Sequence, residues 1–183
     1  MPYITASGLR HFFISIMFYF KEITDSADLQ SVRDIADSIW PETFQRILSP
    51  EQIKYMMHMM YAPDVMEKEF RNGYHFLLLY VKNEPAGYMV WSPWEEEPAT
   101  TAKLHKLYLL SKHHRKGYGH AMLDHVAEEC RKHGFKNLVL AVNKQNERAY
   151  QTYLKNGYTT FRSVKIDIGN GFFMDDYWMK RGL

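Results

Sequence analysis

The six residues NLVLAV (137–142) form a continuous apolar run, and the segments on either side of it have helical spacing. A strand without alternating polar residues is typical of a sheet that is covered on both faces. The preceding helical segment runs from residue 117 to 133 and is stopped by Gly134, and the following one runs from residue 146 to 156 and is stopped by Gly157. A chain that buries such a strand between two helices is expected to form a sheet with helices packed against it.

Turn residues and apolar periodicity divide the rest of the chain into further elements. Strands are predicted near Phe18–Ile23, in three runs between residues 75 and 110, and in a terminal hairpin over residues 159–180. Two or three helices are predicted between residues 25 and 73, and Pro41 is expected to end the first of them. This order of elements predicts a mixed α/β sheet with helices on both faces.

A length of 183 residues and a hydrophobic fraction of 46% indicate one folded domain, which we assign to residues 18–183. Residues 1–17 are interpreted as an N-terminal extension, because the apolar run Phe12–Phe20 is too short to span a membrane and no cleavage site follows it. The net charge of +2 argues against general nucleic-acid binding. The single cysteine, Cys130, excludes an internal disulfide and a cysteine-based zinc site. A cytoplasmic location without a membrane partner is therefore predicted.

The loop SKHHRKGYGHA (111–121) lies between an apolar strand and an amphipathic helix. The first turn of a helix has unpaired N–H donors and a partial positive charge, and Gly117 and Gly119 let the backbone approach a ligand closely. These properties predict an anion site that suits phosphate. The alternative is an ordinary turn with solvated basic residues, and the pattern Gly-x-Gly alone does not separate the two.

A second motif lies downstream and follows the spacing Asn-x-x-Ala-x-x-x-Tyr-x-x-x-Gly-Phe/Tyr. Its residues are Asn146, Ala149, Tyr153, Gly157 and Tyr158. Together with HRKGYG (114–119), which follows Gln/Arg-x-x-Gly-x-Gly/Ala except at its first residue, this motif resembles the GNAT superfamily of acyl-CoA-dependent N-acyltransferases. The resemblance implies an α/β GNAT fold with a mixed, mostly antiparallel sheet of six to seven strands and helices on both faces. Residues 42–44 and 171–179 more loosely resemble the PaiA-like polyamine acetyltransferases.

The resemblance also implies that acetyl-CoA is the co-substrate and that no metal takes part. Main-chain groups of the loop are expected to bind the pyrophosphate, and the strand before the loop is expected to pair with the pantetheine arm. This strand and NLVLAV are expected to splay apart to admit the cofactor. The implied cofactor-binding residues are Leu107, Tyr108, Leu109, His114, Arg115, Lys116, Gly117, Tyr118, Gly119, His120, Asn146 and Ala149.

Two catalytic roles follow from the same resemblance. Tyr153 occupies the position of the usual general acid, and a tyrosine with a pKa of about 10 is protonated at neutral pH. His105 occupies the position where many members have a glutamate base, and an imidazole with a pKa of about 6.5 is able to accept a proton. Because this residue differs, the acids at 95–97 stay open as alternative bases or as residues that attract a cation, and the acids at 175–176 are candidates to face the acceptor site. Each of these residues also has a purely structural explanation: packing of the ring for Tyr153 and His105, and solvated surface charge for the acids.

The implied function is transfer of an acetyl group from acetyl-CoA to a primary amine by direct attack in a ternary complex. A small amine or a polyamine is favoured as the acceptor. Acetylation of protein lysines or N-termini, and non-catalytic sensing of acyl-CoA, are the alternatives, but the presence of both motifs favours an enzyme. A nucleotide site is disfavoured because the loop lacks the Gly-Lys-Ser/Thr of a P-loop. A homodimer through the terminal strands is compatible with the pattern.

Overall fold

The computed structural model describes residues 18–183, and the predicted N-terminal extension lies outside this range. The strands are β1 (Phe18–Glu22), β2 (His75–Val81), β3 (Glu84–Pro93), β4 (Thr101–Leu109), β5 (Asn137–Asn143), β6 (Thr159–Gly169) and β7 (Phe172–Gly182). The helices are α1 (Leu29–Phe44), α2 (Pro50–Tyr61), α3 (Pro63–Arg71), α4 (Tyr118–Lys132) and α5 (Glu147–Lys155). No helix in residues 18–183 combines the length and the apolar character that a membrane span needs.

The seven strands form one sheet in the order β1-β2-β3-β4-β5-β7-β6. Every neighbouring pair is antiparallel except β4 with β5, which is parallel. A parallel pair needs a long crossover connection, and α4 provides it. The predicted mixed, mostly antiparallel sheet is therefore confirmed. The parallel pairing is short, because it joins only residues 101–104 of β4 to residues 137–140 of β5.

Helices cover both faces of the sheet, as predicted. α4 and α5 lie on one face, here called the back face, where Val126 of α4 and Leu140 of β5 belong to the same buried cluster. α1, α2 and α3 lie on the opposite face, here called the front face, where Trp40 of α1 and Val90 of β3 belong to a second buried cluster. Burial of each large apolar side chain contributes about 1.5–3 kcal/mol, so these two clusters hold the helices against the sheet.

α1 continues past Pro41, so the prediction that this proline ends the helix is wrong. A proline inside a helix removes one backbone hydrogen bond. Here it lies in the last turn, and Trp40 and Phe44 beside it are buried with their ring centroids 4.6 Å apart. Tertiary packing supplies most of a helix's stability in a folded protein, and this contact keeps the last turn helical.

The caps and turns agree with the local sequence. Ser49 caps α2 by accepting the N–H of Gln52 at 3.1 Å, and Pro50 occupies the first helical position. Asn170 and Gly171 form the turn between β6 and β7, with φ of 54° and 75°. Two-residue hairpin turns of this type need positive φ at both residues, which Asn and Gly adopt readily.

β4 contains a β-bulge at His105, and the bulge changes the direction of the side chains that follow. Trp91 of β3 pairs with Leu104 and Val90 pairs with Lys106, so His105 has no partner in β3. Side chains alternate along a regular strand, and one extra residue shifts that alternation by one. Leu104 therefore faces the back cluster, whereas Lys106 faces the front and forms an ion pair with α3.

Candidate active site

β4 and β5 separate beyond Leu104 and Leu140, and the gap between them is the cleft of the candidate site. Past this point β4 pairs only with β3, and β5 pairs only with β7. The edge of β4 over residues 105–109 therefore presents its N–H and C=O groups to the cleft. The predicted pantetheine-binding residues 107–109 lie on this edge, and the separation agrees with the expected splay.

Gly87 lets β3 approach β4 closely beside the cleft. A Cβ atom at Gly87 would lie 2.6 Å from the carbonyl oxygen of Tyr108. A carbon atom cannot come so close to a backbone oxygen, so a side chain here would displace β4. Gly87 therefore helps to fix the path that β4 takes along the cleft.

The loop between β4 and α4 has the geometry of an anion-binding nest. Arg115 and Gly117 are left-handed, with φ of 60° and 85°. Residues in such alternating conformations point successive N–H groups toward one side. Within the described residues, the N–H groups of residues 115–120 have no backbone acceptor and no side-chain cap. Gly117 and Gly119 have open space where a Cβ atom would stand, so a ligand is able to reach these donors.

Side chains of the loop hold its shape. Nε2 of His114 lies 2.8 Å from the carbonyl oxygen of Leu109, which ties the loop to the end of β4. Lys116 donates from Nζ to a carbonyl of the same loop at 2.7 Å. Nδ1 of His120 contacts Oδ1 of Asn156, which joins the start of α4 to the end of α5. The side chains therefore shape the loop, and its main chain stays available to a ligand.

The ring of Tyr118 anchors the start of α4. It is buried in the back-face cluster, edge-on to the rings of Phe18 at 5.3 Å and His113 at 5.9 Å between centroids. Because its side chain points into the core, the main chain of Tyr118 is the part that faces a ligand.

α5 begins beside the cleft, and a side chain closes its first turn. Oδ1 of Asn146 accepts the N–H of Ala149 at 3.2 Å. Ala149 and Tyr153 lie four residues apart, so they share one side of the helix, and both pack against the back-face cluster. Asn146 thus uses its oxygen for the helix, and its amide NH₂ is the group left for the predicted contact with the cofactor.

Tyr153 is partly buried, and this burial raises the pKa of its hydroxyl to about 12. Its ring is edge-on to that of Tyr158, with the centroids 5.7 Å apart. The hydroxyl therefore stays protonated at neutral pH. A protonated phenol in the cleft is able to donate a hydrogen bond or a proton to a bound ligand.

The front side of β7 also lines the cleft. Tyr177 and Met179 pack against the back-face cluster, so the alternating residues Met174, Asp176 and Trp178 face the front. The Asp176 carboxyl is 7% exposed on this side.

Tyr108 lies on the front side of β4, beside the gap. Burial is the main cause that raises the pKa of its hydroxyl well above the usual value, and Tyr61, Tyr153 and Asp176 raise it further. Tyr153 belongs to a back-face helix, whereas Asp176 faces the front. Because β4 and β5 are unpaired beyond Leu104 and Leu140, groups of both faces are able to approach the gap here.

His105, the predicted base, lies on the front face in a tight environment. Its Nε2 is 2.8 Å from Oγ of Ser92, and its ring stacks on Tyr74 with the centroids 4.7 Å apart. Burial, with help from Lys103 and Lys106, lowers the pKa of His105 to about 3. So weak a base does not favour the role that the sequence predicts for it.

Two of the three acids in the loop between β3 and β4, Glu96 and Glu97, already have partners. Glu96 accepts two hydrogen bonds from Arg162, both at 2.9 Å. Glu97 accepts from Lys180 at 3.3 Å and from a threonine of β4. These contacts lower the pKa of both carboxyls. The two acids therefore act as a brace between the loop and the terminal hairpin, which disfavours the base role left open for them.

Lys103 and Trp178 belong to the front side of the site, although no sequence motif marks them. Nζ of Lys103 lies 4.6 Å from the centroid of the Trp178 ring, and Trp94 packs on the same ring at 5.7 Å. Strand alternation is the sequence signal that could have found Trp178, because Trp178 and Asp176 are two residues apart in β7 and therefore share a face.

The residues present fit the cofactor that the sequence implies. A diphosphate needs several N–H donors in one place, and the loop at 115–120 offers them. The pantetheine arm carries amide groups, which match the unpaired edge of β4. Among the described residues, no group of three or more His, Cys, Asp or Glu side chains has the arrangement of a metal site.

Comparisons with known proteins agree with this geometry. A sequence model of the acetyltransferase (GNAT) family matches residues 29–158. The PaiA N-acetyltransferase from Thermoplasma acidophilum, in complex with coenzyme A, is 21% identical, with a TM-score of 0.73 over 91% of this chain and 99% of that one. A GCN5-related N-acetyltransferase from Rhodopseudomonas palustris is 14% identical, with a TM-score of 0.74 over 91% and 96%. The ribosomal-protein-S18-alanine N-acetyltransferase from Escherichia coli is 18% identical, with a TM-score of 0.66 over 91% and 94%.

The family match extends over more than half of the chain, and it includes both motifs that the sequence presents. The three neighbours share the fold over nine-tenths of the chain or more. The chain therefore belongs to the GNAT family of N-acetyltransferases, the acyltransferases that use acetyl-CoA as the acetyl donor.

Proposed function

We propose that this enzyme transfers the acetyl group of acetyl-CoA directly to a small primary amine, and that polyamines are the favoured acceptors. The observation that carries the proposal is the gap between β4 and β5: the loop with the free N–H groups of residues 115–120 follows β4, and α5 with Tyr153 follows β5. The looser sequence resemblance to PaiA-like enzymes and the structural likeness to PaiA support a polyamine acceptor.

The main chain is proposed to hold the cofactor. The N–H groups of residues 115–120 bind its pyrophosphate, and residues 107–109 pair with its pantetheine arm along the free edge of β4. Asn146 contributes its amide NH₂. Ala149 has a small side chain, which leaves room for the arm beside α5.

Tyr153 is proposed to act as the general acid. Bound acetyl-CoA supplies an activated thioester, and the sulfur needs a proton when it leaves. The Tyr153 hydroxyl, with a pKa of about 12, carries that proton throughout the neutral range. Its position at the gap lets it serve a group held between β4 and β5. His105 stays a predicted base, and its pKa of about 3 does not support that role.

Direct transfer is favoured over an acyl-enzyme. Cys130 is the single cysteine of the chain, and it is fully buried between α4 and the sheet, in the back-face cluster. Burial raises the pKa of its thiol to about 12. A thiolate is needed for nucleophilic attack, so Cys130 is unsuited to carry the acetyl group.

Contacts between α2 and the β6–β7 hairpin favour a small acceptor. Nε2 of Gln52 donates to the carbonyl oxygen of Phe173 at 2.8 Å, and the Tyr55 hydroxyl donates to the carbonyl oxygen of Ile168. These contacts tie α2 to the terminal hairpin on the front side of the sheet. We propose that a flexible small amine is accommodated beside these two elements more easily than a protein segment.

The proposal is tested by the release of coenzyme A thiol over a panel of amines that includes spermidine, spermine and lysine peptides. We expect release with at least one polyamine and little release with the peptides. Turnover with peptides alone indicates a protein acetyltransferase. Calorimetric binding of acetyl-CoA without release from any amine indicates a sensor and contradicts the proposal.

A cytoplasmic location and a homodimer through the terminal strands are part of the same proposal. β6 is an edge strand of the sheet, and its Phe161 and Ile166 are 42% and 43% exposed. Unpaired edge strands are able to pair with a second copy. Light scattering after size exclusion measures the mass directly, and a monomeric mass contradicts the dimer.

A further inference from the structure

The carboxyl of Asp176 is placed at the cleft by the alternation of β7. Its neighbour Tyr177 packs on Tyr150 of α5 at 5.2 Å between centroids, which directs Tyr177 to the back face. Trp178 faces the front, where Trp94 and Lys103 contact its ring. Asp176 lies two residues before Trp178, so it also faces the front, the side from which an acceptor approaches.

The position of Asp176 along the sheet coincides with the gap. It pairs with Asn143, the last residue of β5, whereas the pairing of β5 with β4 ends three residues earlier, at Leu140. Asp176 thus lies on the front side of β7 at the level of this gap, and Tyr153 lies on the back face, on the helix that directly follows β5. An acetyl group held between the two strands therefore has Tyr153 on one side and Asp176 on the other.

Asp176 differs from its neighbour Asp175 in its partners. The Asp175 carboxylate forms an ion pair with Lys144. Within the described residues, Asp176 has no ion pair within 4.0 Å and no side-chain hydrogen bond, although it is only 7% exposed. Its oxygens are not among the buried polar atoms that lack a partner, so solvent or a ligand is able to reach them. A carboxyl that is little exposed, has no protein partner and is open to the gap is a candidate for a function.

We propose that the Asp176 carboxylate accepts the proton of the acceptor amine as its nitrogen attacks the acetyl group, so that Asp176 rather than His105 is the catalytic base. This inference rests on the proposed function, because it concerns the same cleft and the same reaction.

The electrostatic surroundings of Asp176 suit this task. Burial and the charge of Asp175 raise its pKa, while Lys103 and Lys144 oppose the rise, and the result is about 6. Tyr108 of β4 lies on the same front side of the sheet. A general base is most useful when its pKa lies near the working pH, and this carboxyl is ionised at neutral pH yet more basic than an exposed aspartate.

The proton balance of the step is closed by two residues. The nitrogen–carbon bond forms, the carbon–sulfur bond breaks, and the nitrogen of the neutral amine loses one proton to Asp176. The leaving sulfur gains one proton from Tyr153. Transfer of the proton from Asp176 to the Tyr153 oxygen through solvent restores both groups, and no further reactant is needed.

The first experiment compares Asp176→Asn with Asp175→Asn in the thiol-release assay at saturating amine. We expect Asp176→Asn to lower kcat by about 100-fold or more, the size of a lost general base, with an unchanged Kd for acetyl-CoA. Asp175→Asn removes the neighbouring carboxyl on the opposite face, and we expect kcat within about threefold of the wild type. An Asp176→Asn enzyme with wild-type kcat overturns the proposal.

Stability measurements separate a catalytic loss from a folding defect. The folded pKa of Asp176 lies above its ordinary value of 3.8, so the wild type loses stability as the pH rises from about 4 through about 6. Asp176→Asn lacks this loss. It is therefore expected to unfold at a higher urea concentration than the wild type at pH 8 and at the same concentration near pH 4. A variant that is less stable at pH 8 contradicts the buried, unpaired carboxyl on which the proposal stands.

The pH profile of kcat gives the third readout. We expect wild-type kcat to fall below pH about 6 as Asp176 becomes protonated. Lys103→Met removes a cation that stabilises the carboxylate, so this acid limb is expected to move to higher pH. His105→Gln is expected to keep the limb where it is. If His105→Gln abolishes the acid limb, or if Lys103→Met leaves it at the same pH, the limb reports the titration of a group other than Asp176.

A wild-type enzyme that binds acetyl-CoA and acetylates no amine contradicts the proposed function itself rather than the choice of base.

Discussion

Two helices of this enzyme follow a strand that borders the cleft, and their first turns are built differently. The first turn of α5 is closed by Asn146, which accepts the N–H of Ala149. The first turn of α4 begins at the left-handed Gly117, has no side-chain cap, and leaves the N–H groups of residues 115–120 without an acceptor in the described part of the chain.

The difference shows how one architectural unit serves two tasks. An N-terminal cap typically stabilises a helix by about 1 kcal/mol, and α4 forgoes this contribution. The donors that a cap would occupy stay free for an anion. α5 has the cap, and the group it offers to the cleft is the Tyr153 side chain on its second turn. In the GNAT reaction, α4 is therefore expected to govern binding and α5 to govern chemistry.

The strongest test of this division is Tyr153→Phe. We expect kcat to fall by about 100-fold because the proton donor is lost, whereas the Kd of acetyl-CoA stays within about threefold. Tyr150→Phe is the matched control, since the Tyr150 hydroxyl accepts a hydrogen bond from Thr160 away from the cleft. A loss of affinity larger than the loss of turnover would break the comparison.

Gly117→Asp gives α4 the kind of start that α5 has. Aspartate can occupy the N–H donors and repels a diphosphate, so we expect the Kd of acetyl-CoA to rise about 30-fold, the equivalent of one or two charge-assisted hydrogen bonds. Gly134→Asp is the control, because this glycine also has positive φ, at 86°, and open space around it. Equal affinities in the two variants, measured by calorimetry, would show that the donors at α4 do not bind the cofactor.

Asn146→Ala removes the cap of α5. We expect a loss of about 1 kcal/mol in the free energy of unfolding, measured in urea, and a small rise in the Kd of acetyl-CoA. Ser49→Ala removes the cap of α2 and should cost similar stability with no change in Kd. If Asn146→Ala reduced the free energy of acetyl-CoA binding far more than the free energy of unfolding, the main role of the Asn146 amide would be to bind the cofactor rather than to cap the helix.

Arg115→Gly is expected to have the smallest effect. Arg115 has φ of 60°, and glycine adopts this conformation without strain, so stability should change by less than about 1 kcal/mol. The lost charge should raise the Kd of acetyl-CoA about threefold at low salt. Lys82→Gly, at φ of 54° in the β2–β3 turn, is the control for relief of strain alone. A large loss with Arg115→Gly would show that the side chain, rather than the main chain, holds the anion.

The sequence predicted those parts of the candidate site whose residues lie close together along the chain. The loop at 114–119 and the motif from Asn146 to Tyr158 each follow a strand, so the order of elements puts both beside the sheet, and the family resemblance implies their roles. The sheet with helices on both faces follows from the same periodicities. These features need no knowledge of how distant strands pair.

The parts that were missed depend on pairing between distant segments. The direction of Asp176 is set by its register with Asn143, and the burial that lowers the pKa of His105 depends on packing against distant residues such as Tyr74, beside the effect of the nearby Lys103 and Lys106. The continuation of α1 through Pro41 likewise needs tertiary contacts. Local patterns contain no information on these contacts.

The bulge at His105 also determines how this strand tolerates changes in length. Loss of His105 alone would remove the bulge and restore a regular ladder with β3, and Lys106 and Tyr108 would stay on the sides of the sheet that they now occupy. Loss of two residues would shift the alternation by one and turn the side chains that follow toward the opposite side. A single-residue deletion here is therefore expected to be tolerated better than a two-residue deletion, which would rebuild the acceptor side in one event.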